Sequence, residues 1–198
     1  MKTRALMAIV LLGLSTGVNA AKCKYAQDEV DPFTGVKTLQ TKWDQLTSTW
    51  MADMREIDGW ISVLAVGDQV TLWVKLDYSI KTPKEPAFGS LRDAIAIQKG
   101  APLLILMADD SIIELPAINE VRKDAYSVPP WEQSGDTDKF VVRAVASIEY
   151  ALSAEAIAAL KAQHATDIRI TAANRNYDVE IHKKSLTNFH NAFACTEL

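Results

Sequence analysis

The sequence predicts an α+β or mainly-β domain: an antiparallel sheet or sandwich built from hairpins, with two helices in the C-terminal third. Three observations carry this expectation. Apolar and polar residues alternate with period two over several segments. Gly, Asp and Asn stand between consecutive segments of that kind, where tight turns need them. Clear helical spacing comes only after residue 150.

Taken in order, Val36 to Trp43 shows partial alternation and reads as a strand. Trp43 to Ile57 is ambiguous. Trp43, Leu46, Trp50 and Met54 have helical spacing, but Thr47-Ser48-Thr49 reads as loop, so the segment is expected to be irregular. Trp60 to Val66 and Val70 to Tyr78 form the clearest pair, with Gly67-Asp68-Gln69 able to supply a positive φ between them. Val70, Leu72, Val74, Leu76 and Tyr78 fall on one face, and Thr71, Trp73, Lys75 and Asp77 on the other. A polar face of this kind excludes the centre of a parallel sheet. Ile80 to Ser90 is a proline-containing loop, and Leu91 to Gln98 holds a short strand. Leu103 to Met107 and Ser111 to Leu115 make a second hairpin around Asp109-Asp110, bounded by Pro102 and Pro116.

Ser127 to Lys139 is a second long loop carrying Trp131, and Phe140 to Tyr150 is another strand. A helix then starts with Ser153 as N-cap, Glu155 in the first turn, and Leu152 and Ile157 as a staple. Asp167 to Thr171 and Tyr177 to His182 flank a third turn. Leu186, Phe189 and Phe193 mark a terminal amphipathic helix. The expected total is about seven to nine strands and two helices, with no fixed-period repeat.

Residues 1–20 stand apart. Lys2 and Arg4 form a short positive region and Ala5 to Leu14 an apolar run. Val18 and Ala20 fit the small-residue pattern of a signal-peptidase site. The run is about half the length a membrane-spanning helix needs, and Lys22 before Cys23 does not suit lipidation. The expectation is a signal peptide over 1–20, no membrane anchor, one globular domain over 21–198, and a periplasmic or secreted location. Losing Lys2 and Arg4 moves the formal charge from −4 to about −6. Such a mildly acidic domain lacks the basic footprint of a nucleic-acid or anionic-membrane binder.

Cys23 and Cys195 are the only two cysteines, and export places them where disulfides persist. A bridge would fasten the N-terminal arm to the terminal helix, closing a loop whose entropy is about 5 kcal/mol in the chain-entropy model. The rival is a reactive thiol beside a histidine. His190 lies five residues before Cys195, so the two do not share a helical face.

"KYAQDEVDPFTGVKTLQTKW" resembles the opening of a family of exported bacterial proteins without known activity. Its motif is D-x-F-T-G followed by T-x-W, matched here by Asp31, Phe33, Thr34, Gly35 and Trp43. "GAPLLILMADDSIIEL" and "IEYALSAEAIAALKAQHATDIRI" look similar to later parts of the same family. The resemblance implies an exported domain and carries no site residues with it.

"DEVDPFTG" does not have calcium-loop spacing: acids stand at 28, 29 and 31 and none follows until Asp44. It reads better as a turn. Pro32 presets φ, Asp31 bonds nearby amides, Gly35 accepts positive φ and Phe33 offers an apolar plug. Asp31 and Phe33 are also candidate partner contacts, with Trp131 the third. For Trp131 a core or folded-back position is favoured, because single exposed tryptophans are uncommon. Trp43, Trp50, Trp60 and Trp73 read as core or cross-strand packing.

His164, His182 and His190 have no Cys or His at metal spacing, so no metal is expected. His182 and His190 could meet in space. Asp109-Asp110 reads as solvated turn chemistry rather than an acid–base pair. Nucleophile-elbow, P-loop, zincin and dinucleotide motifs are absent from the sequence, and no cofactor is implied. With no catalytic constellation, the expected function is an exported non-catalytic binding or interaction protein of the bacterial envelope. Its partner would be a protein or an envelope component. The alternative is a small periplasmic hydrolase using His182 or His190 with a carboxylate.

Overall fold

The computed structural model describes residues 23–50, 55–133 and 138–195. The signal peptide expected over 1–20 lies outside them. Thirteen strands and two α-helices follow one another as β1 Tyr25–Val30, β2 Lys37–Thr41, β3 Asp44–Trp50, β4 Arg55–Val66, β5 Gln69–Thr82, β6 Ile95–Ile97, β7 Pro102–Met107, β8 Ile112–Pro116, β9 Val121–Lys123, β10 Tyr126–Val128, β11 Phe140–Ala151, α1 Ala154–Ala162, β12 Ala165–Thr171, β13 Asn176–Glu180 and α2 Leu186–Ala194. The fold is mainly antiparallel β with both helices in the C-terminal third, as the hairpin pattern predicts.

A seven-stranded sheet has the order β1-β2-β4-β5-β11-β10, with β3 also paired to β4. A second sheet runs β13-β12-β7-β8, and β6 pairs with β9. The long β4–β5 hairpin turns at Gly67, whose φ of +53° is cheap only without a Cβ. Pro102 and Pro116 stand opposite each other at the strand ends, where neither interrupts the ladder.

The alternation of β5 sends Leu72, Val74, Leu76 and Tyr78 into the interior. They meet Ile61 and Val63 of β4, and Ala144, Ala146 and Ile148 of β11. Leu103, Ile105, Ile168, Ile170, Tyr177 and Val179 of the second sheet belong to the same core, with Leu160 of α1 and Phe189 and Phe193 of α2. The Ser153 hydroxyl accepts a hydrogen bond from the Ala156 N–H at 3.1 Å, so the expected N-cap forms. Cys23 and Cys195 are bridged across a sequence separation of 172, with Cα atoms 5.5 Å apart. The Tyr25 hydroxyl adds a hydrogen bond to the Cys195 carbonyl at 2.9 Å.

Three expectations are corrected. Of the segment Trp43 to Ile57, expected to be irregular, Asp44–Trp50 and the start of β4 are strands, and residues 51–54 lie outside the described residues. Asp44–Trp50 pairs along β4 from Ile61 to Glu56, with a register shift at Leu46. Threonines fit a pleated surface, and the ladder outweighs a loop-like local composition. Tyr25–Val30, given no element from the sequence, pairs with β2 as an edge strand. The loop Ile80–Ser90 is also shorter than expected, because β5 runs to Thr82.

Candidate functional site

The β1–β2 connection is the "DPFTG" turn. Asp31 Oδ1 accepts from the N–H groups of Phe33 and Thr34 at 2.7 and 3.0 Å. The Gly35 N–H donates to the Asp31 carbonyl at 2.8 Å, and the Asp31 N–H to the Val36 carbonyl at 2.9 Å. Gly35 takes a φ of +70°, which this closure requires. The two amides hold the Asp31 carboxyl below its ordinary range. The turn is therefore fixed by its own backbone, as the sequence leads one to expect.

Phe33 is not a plug. Its side chain is 97% exposed. The turn closes through Asp31, Thr34 and Gly35, and nothing in it draws the ring inward. Val30 (opposite Lys37), Val36 and Val66 (opposite Thr38) are also exposed. The Gly67 N–H donates to the Lys37 carbonyl at 3.0 Å, which ties the β4–β5 turn to the same end of the sheet. The result is an aromatic knob on a hydrogen-bonded turn.

Trp131 sits at the opposite end of that sheet, in a short 3-10 turn over Pro130–Glu132. It is 77% exposed, so the core expectation does not hold. Its ring leans edge-on against Phe140, with centroids 6.4 Å apart. Gln133 Nε2 ties the base of the loop by donating to the carbonyls of Val128 at 3.0 Å and Lys139 at 2.8 Å. The structure does not bring Phe33 and Trp131 together. Each is displayed alone.

His182 and His190 do not meet. His190 instead packs on His164, with ring centroids 4.8 Å apart. His182 Nδ1 accepts from the Lys184 N–H. Among the described residues no histidine is hydrogen-bonded to a carboxylate, and no group of three His, Cys, Asp or Glu is placed to hold a metal ion. Asp109 accepts from the Ser111 N–H and hydroxyl and from Gln163, which pulls its carboxyl down to about 2. Asp109 therefore serves the turn.

One polar cluster was not foreseen. Asp77 is buried on the outer face of β5, directly opposite Asp58 of β4, and Arg143 of β11 grips it. Glu56 lies beside them. Burial raises its carboxyl, and the charges of Asp58 and Asp77 push it further up. The only sequence signal was Asp77 on the polar side of the alternation, since Arg143 is 66 residues away. On the same face Trp43 packs on Trp73 at 6.3 Å and Lys75 covers Trp60 at 5.0 Å, the cross-strand role expected of these tryptophans.

Compared with protein-family models, curated proteins and solved structures, the chain matches none.

Proposed function

We propose that this is an exported, non-catalytic binding protein of the bacterial cell envelope that holds a protein or envelope partner through aromatic residues displayed on rigid loops. The observation that carries the proposal is Phe33, 97% exposed on a turn whose backbone is already fixed. Burying a phenylalanine side chain yields about 1.5–3 kcal/mol. A preformed turn loses little entropy when it docks, so most of that gain remains available for affinity. The Cys23–Cys195 bridge fits a chain that matures in an oxidising compartment. The pattern of residues 1–20 and the resemblance to exported bacterial proteins point the same way.

The test is site-specific photo-crosslinking in the native envelope. A benzoyl-phenylalanine at position 33 is expected to give a discrete adduct, and the same probe at exposed Lys99 none. Identical adduct patterns at both positions, or no adduct at 33, would overturn the reading.

A further inference from the structure

The second sheet carries an apolar strand with no polar side. Leu103, Ile105 and Met107 of β7 face the core, while Leu104 and Leu106 lie half-buried on the other face. Beside them Ile112 of β8 is 62% exposed. Strands apolar on both faces are normally covered on both. Here the outer face floors a groove of about 350 Å³. That volume is at the small end for ligand sites and suits a few side chains rather than a whole cofactor.

The sheet surface in and beside the groove is mainly acidic, with Asp167, Arg169 and Asp178 lining it and Glu180 and Glu114 next to them in the sheet. One row across the sheet reads Glu180, Asp167, Leu106, Ile112, and the next reads Asp178, Arg169, Leu104, Glu114. Arg169 is taken up by Asp178, with Nε to Oδ1 at 2.6 Å. Asp167 and Glu180 stand directly opposite each other, and among the described residues neither carboxylate has a hydrogen-bond or ion-pair partner. Like charges opposite one another on paired strands are unfavourable. A cation placed over them would relieve this.

We infer that this face is a docking surface, separate from Phe33, for an extended peptide segment of a partner that carries an aliphatic side chain and a lysine or arginine two residues apart. Spacing and charge select this occupant together. Neighbouring strands lie about 4.8 Å apart, so Asp167 and Glu180 are about 5 and 10 Å from Leu106 across the sheet. Same-side residues of an extended chain are about 6.8 Å apart. An aliphatic group over Leu106 therefore sets the basic group between the two carboxylates. The net charge of −4 makes a second copy of this chain the less favoured occupant.

The probe is a short fluorescent peptide with Leu and Lys alternating at odd positions and Ser between, titrated into the full mature protein and followed by anisotropy. It is expected to bind, whereas the same peptide with Glu for Lys is not. Asp167→Asn with Glu180→Gln should weaken binding by about tenfold or more without lowering the melting temperature, because a repulsion is removed. Asp28→Asn with Glu29→Gln removes the same charge from β1 and should leave affinity unchanged. Phe33→Ala should also leave it unchanged, which keeps this test independent of the first reading. Equal losses from the two double variants, or equal binding of the acidic and basic peptides, would overturn the inference. So would a dimer in sedimentation that Leu106→Ser converts to monomer, since the groove would then be a self-interface.

Discussion

The Arg143 guanidinium reaches the Asp77 carboxylate from the neighbouring strand, Nε to Oδ1 at 2.8 Å and to Oδ2 at 3.1 Å. Asp77 is 5% exposed and Asp58 stands opposite it, its Oδ1 buried without a hydrogen-bond partner. Arg143 thus compensates one buried carboxylate with a second, half-buried one beside it. Breaking a buried pair by removing one partner costs about 3–5 kcal/mol. Arg143 is itself half-exposed, and solvent screening brings the expectation for Arg143→Met to about 2–3 kcal/mol. Urea unfolding measures it, and adding Asp77→Asn should restore most of the loss. An unchanged midpoint in Arg143→Met would show that the pair is not holding the sheet.

The terminal bridge should act chiefly on the unfolded chain. Cys195→Ser is expected to keep the β-rich circular dichroism spectrum and to lose about 2–5 kcal/mol under non-reducing conditions. Thiol titration of the denatured, unreduced wild-type protein should find no free thiol, since the only two cysteines are paired.

Asp109 predicts a local acid transition. Its folded pKa is depressed from 3.8 to about 2, first by the Ser111 hydroxyl, then by Gln163 and the Ser111 N–H. A depressed carboxyl stabilises the fold above the unfolded value, so its contribution is complete above about 3.8 and is lost as pH falls through about 2. A carboxyl-carbon NMR titration should give a midpoint near 2 in the wild type, and Ser111→Ala should raise it. A wild-type midpoint already at the ordinary aspartate value would contradict the hydrogen-bonded turn.

Trp131 and Phe193 make a paired stability prediction. Trp131 touches Phe140 at its edge and is otherwise exposed, so Trp131→Ala should cost no more than about 1 kcal/mol. That corresponds to a melting shift of about 2–4 °C at most. Phe193 is fully buried between α2 and the sheets, and Phe193→Ala should cost about 3–5 kcal/mol. Equal shifts for the two variants would mean that the Ser127–Lys139 loop packs far more tightly than its exposure indicates.

Period-two alternation, with Gly67 in its turn, determined the β4–β5 hairpin. Pro102 and Pro116 bounded the second hairpin, and Ser153 set the start of α1. Having only two cysteines left one intramolecular pairing to make. These features are local or leave a single choice, so a linear reading reaches them. Tertiary structure decided the rest. Thr47-Ser48-Thr49 reads as loop until β4 supplies a ladder for it. Phe33 reads as a plug until the turn proves complete without it. The Arg143–Asp77 clasp, the His164–His190 contact and the acidic rows beside Leu104 and Leu106 all depend on which strands and helices become neighbours. That choice follows from how the sheets and both helices close over one core, a long-range outcome that no single segment encodes.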